Sequence, residues 1–122
     1  MASTILDKTF TYAIVGATDN PHKYGHTVCM DLIGKGYKVI PINPNYSKVC
    51  AKDRYAMLSD VPQKIDVVVF VVPSQVTEKI MDEVVRLGIP RVWMQPGSES
   101  ERAITKAKEH SIQVVHNACI MV

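Results

Sequence analysis

Most of the features that assign a chemistry directly are missing from this sequence. Its three cysteines, Cys29, Cys50 and Cys119, are widely spaced and include no Cys-x-x-Cys pair, so neither a disulfide framework nor a zinc site is indicated. The four histidines, His22, His26, His110 and His116, form no convincing metal-ligand spacing with Cys, Asp or Glu; His22 and His26 are four apart, but Pro21 places the first in a loop. No metal site is expected. Net charge is only +2, from 14 basic and 12 acidic residues, and no basic run is interleaved with aromatics, which argues against nucleic acid as a partner. The longest apolar run, Val67 to Val72, is one strand long, so no membrane partner is expected, and "MASTILDKTF" at the N-terminus has no apolar secretory core. A cytoplasmic protein is expected. No Ser/His/Asp order, no carboxylate pair with a clear role and no nucleophile beside a base stands out, so no catalytic residue is assigned.

What is present is a regular alternation. Five apolar runs, "TYAIVG" (11–16), "YKVIPIN" (37–43), "DVVVFVV" (66–72), "RVWMQ" (91–95) and "IQVVH" (112–116), read as strands. The first and third are almost continuously apolar, as suits strands covered on both faces of a parallel sheet. Helical spacing of Val28, Cys29, Leu32 and Ile33 predicts a helix from Tyr24, stopped by "GKG" at 34–36. Val76, Ile80, Val84 and Leu87 predict a second from Gln75 to Leu87, with Ser74 as N-cap and Gly88 as stop. Ser98 and Glu101 fit a capping box opening a third, to about His110. A short leading helix is expected over residues 2–8, and the link 44–65 has no long helical stripe. With 122 residues and 13.6 kDa, the chain suits one domain over 1–122. The expected class is α/β: a three-layer, doubly wound, parallel five-stranded sheet of order 3-2-1-4-5, Rossmann-like, with its ligand crevice beside the carboxyl end of the first strand.

The loop after that strand, "AIVGATDNPHKYGHT", is built for an anion. Gly16 permits a tight turn, Thr18 offers a hydroxyl, Lys23 brings positive charge and Gly25 opens the next helix, whose N-terminus favours phosphate. A plain strand-to-helix turn uses the same residue types. Neither G-x-G-x-x-G nor the Walker pattern G-x-x-x-x-G-K-[ST] is present. At the end of the second strand, where an NAD site places Asp or Glu on the ribose, the chain reads "PINPNYSK": Asn43 and Pro44, with Lys48 as the first charge. A carboxylate would repel a phosphate on that ribose and a lysine would attract it. The pattern therefore suits NADP or coenzyme A, whose adenosine carries a 3′-phosphate. Lys52 and Arg54 near Lys48 read as a solvated face.

Taken together, these motifs resemble those of the small single-domain CoA-binding proteins, Rossmann-like relatives of the CoA-binding domain of the succinyl-CoA synthetase alpha subunit and of the ADP-forming acyl-CoA synthetases. The resemblance runs from about Thr11 to Met121. The family's G-A-[ST] opening is matched by Gly16, Ala17 and Thr18, with Lys23 and Gly25 following; its P-[VI]-N-P by Pro41, Ile42, Asn43 and Pro44. Its Y-x-S-[IL]-x-D-[IL]-P is matched by Tyr55, Leu58, Asp60 and Pro62, with Met57 in place of the serine; its W-x-Q by Trp93 and Gln95, then Gly97; its late N-x-C-[IM] by Asn117, Cys119 and Ile120. The resemblance implies a nucleotide-binding protein whose loop, Gly16 to Thr18, with Lys23, Tyr24 and Gly25 at the helix start, holds a pyrophosphate. It implies that Asn43, Pro44 and Lys48 border the adenosine and its 3′-phosphate, that Val72 and Pro73 cover the adenine or the start of the pantetheine arm, and that Gln95 and Gly97 lie near the arm's path. The family often has a basic residue just before that proline; here Val72 is apolar.

The expectation is non-catalytic binding of coenzyme A or acyl-CoA, since the larger synthetases use a phosphorylated histidine and an ATP-grasp partner for which this chain has no room. Two alternatives stay open: an NADP-dependent or CoA-linked enzyme acting with a partner subunit, and an interaction module with a vestigial pocket whose Trp93 or outer helices form a homo-oligomer face. Cys29 and Met30, Met57, Met81, Met94 and Met121 read as core filler; Cys119 reads as a small core residue, with a thiol that meets the pantetheine thiol or is oxidised as the alternative.

Overall fold

The structure, a computed structural model, describes residues 6–43, 48–49, 52–53 and 55–121. In chain order the elements are β1 (Thr11–Val15), α1 (Tyr24–Gly34), β2 (Lys38–Ile42), β3 (Lys48–Val49), β4 (Lys52–Asp53), a 3-10 turn (Leu58–Asp60), β5 (Val67–Phe70), α2 (Ser74–Leu87), β6 (Arg91–Met94), α3 (Glu101–Glu109) and β7 (Gln113–Val115). The alternation of side chains along a strand explains the apolar runs. Tyr12 and Ile14 of β1, with Val67 and Val69 of β5, meet Val28, Cys29 and Leu32 of α1 on one face. Ala13 and Val15, with Val68 and Phe70, meet Met81 and Val84 of α2 and Ala103 and Ala107 of α3 on the other. All five long strands pair in parallel, giving a three-layer, doubly wound, Rossmann-like α/β fold; β3 and β4 form a separate antiparallel pair.

The strand order corrects the sequence reading in one respect. That reading placed the third strand outside the second (3-2-1-4-5), whereas the sheet runs β2-β1-β5-β6-β7, or 2-1-3-4-5 in the five long strands. Two physical reasons account for the difference. Pro41 has no N–H for a second ladder and belongs on an edge strand, and β2 is that edge of the five-stranded sheet, with an isolated bridge from Ile42 to Tyr55 on its outer side. The link from β2 to β5 packs Leu58 and Ile65 on the face of α2 and α3, so a right-handed crossover carries β5 to the far side of β1. The winding still reverses at β1, now between β1 and β5, and the carboxyl ends of those strands remain the place for a ligand.

Local signals shift by one or two residues in two helices. The buried stripe of α2 is Thr77, Met81 and Val84, while Val76 and Leu87 face solvent. Its N-cap is Pro73, not Ser74. The N-cap of α3 is Ser100, whose hydroxyl accepts from the Ala103 N–H, and Ser98 instead accepts from the Val72 N–H at 3.0 Å. The Ser100 hydroxyl also contacts the Glu78 carboxylate. Ser100→Ala is expected to lower stability by about 1 kcal/mol, read as a shift in urea midpoint at unchanged slope. Residues 6–10 form a turn rather than part of a helix, with Asp7 accepting from the Thr9 and Phe10 N–H groups; residues 1–5 of the expected leading helix lie outside the described residues. Met81 and Met94 are core residues, but Met30 and Met57 are exposed. Trp93 is buried under the α1 face and donates its indole N–H to the Ala118 carbonyl, so it cannot form an oligomer face.

Candidate ligand-binding site

Two glycines bring the loop and the helix into contact. Gly16 sits at φ +95°, and a Cβ there would overlap the Val71 carbonyl oxygen and lie 2.8 Å from Val72 Cγ1. A Cβ on Gly25 would overlap the Gly16 carbonyl oxygen, so the first turn of α1 rests directly on the loop. The loop is held from beneath by Asn43, whose buried side-chain amide donates to the Ala17 carbonyl at 2.8 Å, and from above by His26, whose Nδ1 lies 3.1 Å from the Thr18 carbonyl. The N-terminus of α1 has an extended N-cap, Lys23, that makes no side-chain cap hydrogen bond, and there is no acidic residue in the first turn. Uncapped N–H groups and the helix dipole thus point positive potential outward.

What they face is a crevice of about 390 Å³, lined by Gly16, Thr18, Lys23, Tyr24, Gly25, Asn43, Val71, Val72 and Pro73. Eight of these were singled out from the sequence; Val71, at the end of the third apolar run, was not. Ala17 is buried beneath the lining. Pro44 and the side chain of Lys48 lie outside the described residues. Gln95 and Gly97 are not in the lining: Gly97 is exposed and its N–H is taken by the Glu99 carboxylate at 2.8 Å. Gln95 is fully buried, and it reaches the crevice only through Tyr24. Its Nε2 donates to the Tyr24 hydroxyl at 3.1 Å and lies 3.3 Å from Cys119 Sγ, while its Oε1 accepts from the Ile120 N–H at 2.7 Å.

Cys119 is therefore not core filler. It is half-buried, and its sulfur lies 3.0 Å from the Tyr24 hydroxyl. Burial opposes ionisation of this thiol, but hydrogen bonds from Tyr24, the Met121 N–H and Gln95 outweigh it and hold the thiol below its ordinary value. Tyr24 is moved the opposite way, chiefly by its bond to Cys119, and keeps its proton. Glu99 closes the neighbourhood by accepting from the N–H of Asn117 as well as that of Gly97. The W-x-Q and N-x-C motifs are far apart in the chain, and the fold brings them together at Gln95 and Cys119. A larger groove of about 750 Å³ along α3 mixes Glu78, Glu101 and Glu109 with Arg102 and Lys106, as a solvated helix face does. Among the described residues, no group of three or more His, Cys, Asp or Glu is placed to hold a metal ion, and no helix is long and apolar enough to cross a membrane.

Known proteins are similar to this chain in sequence and in fold. Residues 10–122 match the model of a family described as CoA binding domain. The chain is similar to an uncharacterized protein, YneT, of Bacillus subtilis, 28% identical over 97% of this chain and 87% of that one. It is similar to an ADP-forming acetate–CoA ligase of Archaeoglobus fulgidus, 27% identical over 84% of this chain but only 17% of the ligase. Among solved structures, a conserved hypothetical protein from Pyrococcus furiosus superposes with a TM-score of 0.87 at 38% identity, covering 92% of this chain and 97% of that one.

Proposed function

This chain belongs to the CoA binding domain family, and from that premise we propose that it binds coenzyme A or an acyl-CoA reversibly and non-catalytically in the crevice at the carboxyl end of β1. The observation that carries the reading is the N-terminus of α1, which meets the crevice without a side-chain cap or an acidic first turn and with Lys23 exposed beside it. An anion supplies what that helix end lacks. In this reading the diphosphate rests on the Gly16–Thr18 loop and the α1 amides. The adenosine lies toward Asn43, Pro44 and Lys48, and Val72 and Pro73 wall the adenine or the start of the arm. The arm runs past Tyr24 toward Gln95 and Gly97. The binding protein is one domain in the cytoplasm; three cysteines without a pairing pattern suit a reducing compartment.

Melting in the presence of CoA, acetyl-CoA, dephospho-CoA, NADP and ADP tests this. At about 100-fold excess over Kd, CoA is expected to add about 2.7 kcal/mol to stability and raise Tm by several degrees, with ADP far weaker. Lys23→Glu places a negative charge at the helix end without disturbing the core and is expected to weaken CoA roughly tenfold. A larger shift with NADP than with CoA, or no shift with any nucleotide, would sink the reading. The ligase relative favours one second reading, because this chain corresponds to so small a part of it: a partner chain supplies an acyl-transfer chemistry that this domain serves by presenting CoA.

A further inference from the structure

The crevice and the thiol are joined by one side chain. Tyr24 is part of the crevice lining, and its hydroxyl lies 3.0 Å from Cys119 Sγ. Gln95 aims its buried amide at the same sulfur, and that amide also donates to the Tyr24 hydroxyl, so the three groups form one cluster. The segment carrying Cys119 is pinned on both sides: Trp93 Nε1 to the Ala118 carbonyl at 2.9 Å, Ile120 N–H to Gln95, and Lys35 Nζ to the Met121 carbonyl at 2.7 Å. Cys29, by contrast, is fully buried and packs in the apolar cluster under α1, as a structural cysteine does. Cys119 is instead presented at a fixed place, half-open, among a hydroxyl and an amide from two other elements.

We propose that Cys119 is a thiol-exchange site for disulfides of the pantetheine thiol, docked through their nucleotide end in the crevice. The inference rests on the CoA-binding reading. The Cys119 thiolate attacks one sulfur of a CoA disulfide; that S–S bond breaks as a new one forms between Cys119 and the attacked half. The other half leaves as a thiolate and takes up a proton equivalent to the one Cys119 released. One disulfide is consumed and one is made, so the substrate is its own oxidant. Tyr24 and Gln95 stabilise the sulfur as an anion, which both raises the thiolate fraction and fixes its direction of attack. Docking supplies a high effective concentration of the disulfide at that sulfur.

The test is intact-mass analysis of the whole protein with CoA disulfide, with oxidised glutathione at the same concentration as the undocked control, and peptide mapping of the product. Expected is one dithiothreitol-reversible CoA adduct on Cys119, formed about tenfold or more faster than the glutathione adduct and slowed by excess reduced CoA. Cys119→Ser loses the adduct but keeps the CoA melting shift. Tyr24→Phe, at an exposed position, slows capture and moves the pH profile of Cys119 alkylation upward; Asp31, on the same helix, acts on the thiol in the same direction as that loss. A CoA melting shift with no adduct, or with an adduct on Cys50, overturns the inference and leaves the binding reading standing. Equal rates for the two disulfides together with no CoA melting shift overturn both.

Discussion

Gly25→Ala is expected to destabilise the protein by about 3 kcal/mol or more, although helix propensity alone favours Ala over Gly by about 1 kcal/mol. The new Cβ would overlap the Gly16 carbonyl oxygen, and that oxygen has little room to retreat. Gly16 is itself held at φ +95° against the Val71 carbonyl, and its N–H is bonded to Ile42 across the sheet at 3.3 Å. Either the helix lifts from the loop or the loop leaves the carboxyl end of the sheet, and both open the crevice. Gly34, at the other end of α1, is the internal control: nothing lies within 4 Å of its Cβ position, so Gly34→Ala is expected to stabilise by roughly 0.4–1 kcal/mol. Urea unfolding of the two variants checks this. Equal and small effects would show that the helix does not rest on the loop. The same geometry makes a bulky residue at Gly16 a poor test of ligand binding, because it would collide with the protein before it met a ligand.

The elements were legible because their causes are local. Apolar runs, period-3.6 spacing and a capping motif located the five long strands and three α-helices of the described residues to within a few residues. The loop was legible for the same reason, since Gly16, Lys23 and Gly25 lie within one strand-turn-helix unit. What failed was set at longer range. The face on which Leu58 and Ile65 of the link pack decides the strand order, and no periodicity in the link reports it; Pro41 carried a local hint that β2 is an edge. Ser98 and Ser100 both precede α3, and only the backbone shows which one caps it. Cys119 looked like filler because Tyr24 and Gln95 lie far from it in the chain, on α1 and just after β6, and the N-x-C spacing says nothing about what the sulfur faces.

Gln95 is where that long-range geometry is most exposed to test. Leucine nearly matches its volume and suits a fully buried position, so simple core arithmetic makes Gln95→Leu mild. Hydrogen-bond bookkeeping gives a different answer. The Ile120 N–H, buried and bonded at 2.7 Å to Gln95 Oε1, would lose its acceptor where water does not reach, a loss of roughly 1–3 kcal/mol. Tyr24 and Cys119 are partly open to solvent and lose only a donor that water replaces. Gln95→Leu is therefore expected to cost about 2 kcal/mol, Cys119→Ala well under 1 kcal/mol, and the double variant close to their sum, because the Ile120 bond and the sulfur contact are separate. The thiol reports the second half of the prediction. With one of its donors removed and its burial unchanged, Cys119 ionises at higher pH, so the alkylation rate at neutral pH falls and its midpoint moves upward. A stable Gln95→Leu protein with an unmoved alkylation profile would mean that the amide neither holds the C-terminal segment nor tunes the thiol, and the crevice and Cys119 would then be two unrelated features of the same surface.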